Sequence, residues 1–225
     1  MKAKILHVCR LAGNLGDYVR IKRIRHYLES VGADVRFVNL PFVRYRMLFT
    51  RPDMISSVVA GKIHFENTEL LKEKIRLKLS IEALRNVITK SKPDLIFCEN
   101  TFSGLVALRT VEGDIPVVTD VHSIISAEYE SNIFGKVSKE RSDYLRRVES
   151  EVFQRSSRII AVSNLMKTYI AEKYGVKTKN IIVIPNGSDV RLRISHYCEP
   201  LKVIYGGSFA YYENIDSYLD LARMN

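Results

Sequence analysis

Short apolar runs alternate with longer amphipathic stretches along almost the whole chain. Runs rich in Val, Ile and Leu at residues 4–8, 34–40, 94–98, 115–119, 158–162 and 181–184 read as short buried strands. Between them, apolar residues recur at spacings of three and four. Ile21, Ile24, Leu28 and Val31 share one face of a helix predicted over about 18–31, which Gly32 ends. Leu77, Ile81, Leu84 and Ile88 form the stripe of a longer helix over about 68–89. Further helices are predicted at 102–111, 139–154 and 165–174, the last opened by the cap pair Ser163-Asn164 and stopped by Gly175. This repeated alternation predicts an α/β fold: a Rossmann-like parallel sheet with helices on both faces, joined by right-handed crossovers.

In such a sheet the turns after the strands gather on one edge, where ligands bind. The turns that converge there are 13–16, 99–101, 120–123, 163–164 and 186–189. The last is the most marked. Ile181–Ile184 is wholly apolar, Pro185 cannot continue a ladder, and Asn186-Gly187 favours a tight turn whose backbone Ser188 and Asp189 can bond. A polar linker follows, and residues 201–205 and 215–222 read as one further strand and helix around Gly206-Gly207-Ser208. The expected organisation is a domain at 1–188, a linker at 189–200 and the start of a second domain at 201–225.

The chain has 225 residues, 46% of them hydrophobic, enough for a sizeable core. Lys and Arg number 35 against 25 Asp and Glu, a net charge of +10. That excess means either a solvated Lys-rich surface or an anionic partner. The segment 42–65 interleaves Arg44, Arg46, Arg51 and Lys62 with Phe42, Tyr45, Met47, Leu48 and Phe49. It suits a loop folded onto the sheet, an acidic membrane surface reached through Arg44, Arg46 and Arg51, or single-stranded nucleic acid. No nucleic-acid-binding signature accompanies it, so nucleic acid is not an expected partner. The three cysteines, Cys9, Cys98 and Cys198, form neither a disulfide framework nor a metal motif, and the first two read as reduced core thiols. With no signal peptide and no spanning apolar stretch, a cytoplasmic protein is expected, with peripheral contact at the inner face of a membrane.

Candidate chemistry lies at the turns. Gly13-Asn14-Leu15-Gly16 precedes a helix N-terminus, either an anion site or an ordinary strand-to-helix turn, and matches neither the dinucleotide nor the phosphate-loop glycine pattern. His122 stands two residues after Asp120, just past a strand. It is either a surface loop histidine or one that titrates near neutrality or donates to developing charge. Glu99 ends an apolar strand, where it can orient a ligand hydroxyl or cap the next helix. His7 reads as a satisfied core residue, and Glu149 and Glu151 as solvated charges on different faces of one helix. His7, His26, His64 and His196 show no metal-ligand spacing, and no metal is expected.

Taken in order, four segments carry a resemblance: ILHVCRLAGNLGDYVRIKRIRHYLESVGADVRFV; PDLIFCENTFSG with IPVVTDVHS; VFQRSSRIIAVSNLMKTYIAEKYGV; and IIVIPNGSDV. Together they resemble the N-terminal half of a family-4 retaining glycosyltransferase with the GT-B fold. The resemblance implies acceptor binding mainly by this domain and nucleotide-sugar binding mainly by a second one. It implies that Gly13, Asn14 and Gly16 line the cleft near the phosphates and the reacting sugar. His122, with Asp120, would be the active-site histidine element, and Ser163 and Asn186 would lie on the cleft wall, with Glu99 from its strand end a further substrate-binding candidate. No cofactor or metal is implied, the nucleotide sugar being a substrate, and the acceptor would be a glycan or a lipid-linked group. VIYGGSFAYYEN resembles the opening of the second domain, but Ser208 and Glu213 or Asn214 stand where family members carry phosphate-binding cations. No counterpart of the family's E-x7-E motif precedes Asn225. The expectation is therefore an acceptor half, inactive alone, whose residues 201–225 pack on the first domain or self-associate. Two alternatives stay open: a non-catalytic partner-binding module derived from such an enzyme, and an unrelated nucleotide-binding Rossmann protein.

Overall fold

The apolar runs form six parallel strands of a single sheet, ordered β2-β1-β3-β4-β5-β6, in a computed structural model that describes residues 2–10, 15–40, 68–130 and 138–187, with helical Asp220 and Arg223. The strands are β1 (Lys4–Cys9), β2 (Asp34–Asn39), β3 (Leu95–Glu99), β4 (Val117–Val121), β5 (Arg158–Ala161) and β6 (Ile181–Val183). The helices are α1 (Leu15–Ser30), α2 (Thr68–Ser91), α3 (Asn100–Thr110), α4 (Ile125–Glu130), α5 (Lys139–Arg155) and α6 (Asn164–Tyr174). The predicted α/β class and Rossmann-like sheet are thus present. The strand order reverses between β1 and β3, which makes that junction the switch point where a crevice opens at the carboxyl edge.

Strand alternation divides the side chains between two faces. Leu6, Val8, Ile96, Cys98, Val117, Val121 and Ile159 point to the larger core, filled by Leu77 and Leu84 of α2, Leu105 and Val106 of α3, Val152 and Phe153 of α5 and Ile170 of α6. Ile5, Phe97 and Ile160 point the other way, against Ile24 and Leu28 of α1. His7, Glu99 and Asp120 share the parity of this second face. The register sets Glu99 opposite Asp120 and His7 between Phe37 and Phe97. One helix of described residues, α1, therefore covers the face that carries the polar groups.

Local signals explain most boundaries. Ser163 caps α6 by accepting from the Met166 N–H at 3.1 Å, and Gly175 ends it in the left-handed region at φ 66°. Ser138 caps α5 in the same way. Several features differ from the sequence reading. Strand β6, read as buried, lies at the sheet edge and leaves Ile182 and Ile184 exposed, and Val31, just past the end of α1, is exposed as well. Asp120 and Val121 continue β4 rather than forming a turn. Helix α4 has no apolar periodicity to announce it. Glu149, expected in solvent, is 1% exposed and accepts from the Ser126 N–H at 3.1 Å and the Tyr174 hydroxyl at 2.5 Å. It ties α5 to α4 and α6, and a buried carboxylate needs such donors.

Gly13 and Asn14 lie outside the described residues. So do Arg44, Arg46 and Arg51, the linker at 189–200 and most of 201–225. Among the described residues, no helix is long and apolar enough to cross a membrane.

Candidate functional site

The ends of β3, β4 and β6 place three sequence-predicted residues along one side of a cleft, and α1 supplies the residue that joins them. Glu99 ends β3, and Asn100 follows in the left-handed region at φ 66°, which asparagine tolerates. Helix α3 therefore starts at once, and the Glu99 side chain makes no cap bond. Its carboxylate is left for the α1 face. There His7 Nε2 donates to Oε1 at 2.6 Å, and His122 Nε2 lies 3.0 Å from Oε2. His122 Nε2 is also 3.2 Å from Asp120 Oδ2.

Asp120 is fully buried. Arg20, on α1, grips it with two bonds: Nε to Oδ2 at 2.8 Å and Nη2 to Oδ1 at 2.9 Å. The same guanidinium donates from Nη1 to Asn186 Oδ1 at 2.9 Å. One turn along α1, Arg23 Nη1 donates to the Gly187 carbonyl at 2.9 Å. A connected row thus runs His7, Glu99, His122, Asp120, Arg20, Asn186 across β1, β3, β4, α1 and the turn after β6.

Charge accounting explains how this row survives burial. Two carboxylates, Glu99 and Asp120, face two cations, Arg20 and a protonated His122. Burial opposes the His122 charge. Its bonds to Asp120 and Glu99 outweigh that and push its pKa up to about 10. Burial likewise opposes the Asp120 charge, yet His122 and Arg20 hold its carboxyl below the usual range. The row is neutral only with His122 protonated. A ring in that form is a cation and a hydrogen-bond donor.

Glu99, Asp120 and His122 bring one ligand atom each within 4.8 Å of one another, close enough to surround a cation. The cation already there is the Arg20 fork, which takes both Asp120 oxygens.

The cleft at this edge has a volume of about 1210 Å³ and is lined in part by Arg10, Arg20, Arg23, Glu99, His122 and Asn186, with Ile24, Phe97 and Ile160 as an apolar wall. The Arg10 guanidinium stacks over the Phe102 ring at 4.8 Å. Of the sequence-predicted site residues, Glu99, His122 and Asn186 line the cleft, and Asp120 lies directly beneath. Ser163 does not line it, because its hydroxyl caps α6. Gly16 lies in the first turn of α1.

Arg20 and His7 belong to the site without any sequence signal that places them there. Arg20 sits among the many basic residues of α1, and no spacing relates it to Asp120, a hundred residues away. His7 reads as core, and its burial agrees, but nothing in the sequence announces its bond to Glu99.

The model of the family Glycosyltransferase Family 4 matches residues 19–192, well over half of the chain. No curated protein matches it. Among solved structures, sucrose-phosphate synthase from Thermosynechococcus elongatus superposes with a TM-score of 0.54 at 16% identity, covering 83% of this chain and 49% of the synthase. A shorter form of that synthase gives a TM-score of 0.50 at 15% identity, covering 83% of this chain and 90% of its own. A glycosyltransferase from Rickettsia africae matches at 16% identity and a TM-score of 0.45, covering 83% of this chain and 43% of that one. This chain spans about half the length of the full synthase. At these identities the likeness concerns the fold.

Proposed function

We propose, from the premise that this chain belongs to glycosyltransferase family 4, that its cleft is the acceptor-side half of a site for retaining transfer of a sugar from a nucleotide donor. The acceptor is a glycan or a lipid-linked group. The observation that supports this reading is the connected row of Glu99, His122, Asp120 and Arg20, which sets the His122 imidazole at the carboxyl edge of the sheet.

Glycosyl transfer breaks the bond from the anomeric carbon to the donor phosphate and forms one to the acceptor oxygen. Negative charge grows on the leaving phosphate and positive charge on the sugar ring. His122 is suited to hydrogen-bond the transferred sugar from this side, its charge held by two buried carboxylates. Asp120 and Arg20 are positioning groups, fixing His122 and the Asn186 turn. Transfer is read as metal-independent and without a resident cofactor, since Arg20 and His122 already balance the carboxylates.

In this reading the domain ends near residue 188. The chain then passes through 189–200 into a donor-binding domain begun by 201–225, so that Asn186 stands at the crossing. The basic segment with Arg44, Arg46 and Arg51 would bring the protein to an acidic membrane carrying its acceptor.

The test is release of nucleoside diphosphate from a panel of nucleotide sugars, with and without extracted glycan and lipid acceptors. It is run on this chain and on a form carrying a complete second domain. The complete form is expected to turn over one donor and to lose that activity on His122→Ala with its fold intact, while the 225-residue chain is expected to show none. Full activity in the His122→Ala protein would remove His122 from the site. Steady turnover by the short chain would overturn its assignment as one half of a site.

A further inference from the structure

His7 is part of the row but not of the cleft. It sits in the middle of β1, fully buried, beneath the switch point. Its ring stands edge-on to Phe37 at 5.6 Å and 85° and to Phe97 at 5.2 Å and 88°, so the two aromatic side chains block its rotation. Rings held this way aim Nε2 at Glu99 Oε1, 2.6 Å away. An ionised carboxylate only accepts, so Nε2 carries the proton. The other nitrogen, Nδ1, is buried and has no hydrogen-bond partner among the described residues. That suits a bare lone pair better than an N–H, and it agrees with the same tautomer.

Glu99 depends on this bond more than Asp120 depends on any single one. Asp120 has the Arg20 fork as well as His122. Glu99 is 1% exposed, and its contacts within the row are His7 on one oxygen and His122 on the other. A Glu99 side chain released from His7 and turned away from this position would no longer attract the imidazolium of His122, 3.0 Å from its second oxygen.

We propose that His7 is a positioning residue for His122: from beneath the sheet it fixes the orientation of Glu99, and Glu99 in turn holds the His122 ring in place and pointed along the cleft. Among the described residues, Glu99 from β3 and Asp120 from β4 face His122, with Arg20 from α1 and His7 from β1 each acting one bond further back. The inference deepens the transferase reading, but its test requires no substrate. It can fail while transfer stands, and stand while transfer fails.

The test is the ring titration of His122, followed by proton–carbon correlation spectra of the five histidines, with His122→Gln assigning the signal. In the unmodified chain His122 is expected to stay protonated well above neutrality. A glutamine in place of His7 can set its amide nitrogen where Nε2 stands, whereas the shorter side chain of an asparagine there falls short of Glu99. His7→Gln is therefore expected to leave the His122 midpoint close to its original value. His7→Leu and His7→Asn are expected to lower it by roughly one to three pH units, the usual effect of losing a nearby opposite charge. Should His7→Leu fail to fold, the Gln and Asn pair decides alone. An unmoved midpoint in folded His7→Asn protein, or equal shifts in the Gln and Asn variants, would overturn the proposal.

Discussion

Arg20 and Asp120 form a two-pronged ion pair, Nε to Oδ2 at 2.8 Å and Nη2 to Oδ1 at 2.9 Å, between the one described helix on this face and the middle of the sheet. The Arg20 side chain is 13% exposed and that of Asp120 fully buried. Because a third nitrogen reaches Asn186, the guanidinium also fastens the turn where the chain leaves the last strand. The bond to Asp120 holds the site's charge in place, and the bond to Asn186 sets the position of the cleft wall.

Removing Arg20 should therefore expose both functions. Arg20→Met keeps much of the apolar stem but leaves Asp120 with His122 alone. Breaking one side of a buried pair costs about 3–5 kcal/mol, and a loss of that order is expected in urea denaturation. Arg20→Lys should recover only part of it, since one ammonium cannot span both Asp120 oxygens and Asn186. Amide exchange at Gly187 should quicken in both variants. A loss below about 1 kcal/mol for Arg20→Met would mean that Asp120 does not rely on the fork.

The two titrations of the row act at opposite ends of the pH scale. His122 has a folded pKa of about 10 against an ordinary 6.5, so its contribution to stability is complete below 6.5 and fades as pH rises toward 10. Asp120 is held below its ordinary 3.8, so its contribution is present above that value and lost as pH falls through the lower, folded one. Unfolding free energy should accordingly decline from neutral pH toward 10, with a slope of at most about 1.4 kcal/mol per pH unit from this proton. His122→Gln should remove that slope while leaving the acid limb largely in place. A parallel decline in both proteins would assign the alkaline loss to other groups.

The strands are legible in the sequence because each is a short run rich in apolar residues, and the helices because their apolar stripes repeat at three and four. Asp120 reads as a turn residue because a lone carboxylate ends an apolar run. In the fold its charge is met by Arg20, so the strand continues through it. Glu149 reads as solvated for a related reason: its donors, Ser126 and Tyr174, come from two other helices. Convergence of Glu99, His122 and Asn186 follows from strand order alone, since all three stand at or just beyond carboxyl ends. What joins them does not follow, because contacts such as Arg20 to Asp120 depend on how α1 lies across the sheet.

Glu149 offers a second stability test, away from the cleft. The Tyr174 hydroxyl donates to Glu149 Oε2 and lies 3.1 Å from Ser126 Oγ. Burial and the Glu149 carboxylate both push the phenol pKa upward, so it stays a donor wherever the protein is folded. Tyr174→Phe keeps the edge-on packing against Phe153 and removes that one donor. The expected loss is about 1–3 kcal/mol by chemical denaturation, the cost of an unmet buried acceptor. In a Glu149→Leu background the same change should cost much less. An undiminished cost there would locate the role of Tyr174 in packing instead.

Gly104 supplies the last test, because it decides how closely α3 approaches β4. In an ordinary helix interior Gly→Ala stabilises by about 1 kcal/mol. Here a Cβ would stand 2.8 Å from Thr119 Oγ1 and 3.0 Å from Val152 Cγ1. Neither neighbour yields readily. Thr119 is β-branched within a strand and bonds Ser156 at 2.9 Å, and Val152 is fully buried. Gly104→Ala should thus reverse the usual sign and cost about 1–3 kcal/mol. Thr119 precedes Asp120 on β4, so pushing the strand away also strains the grip of Arg20 from the opposite face. Val152→Ala should relieve part of the clash, making the two substitutions cost less together than the sum of each alone. A Gly104→Ala protein at least as stable as the parent would show that α3 and β4 are not in this close contact.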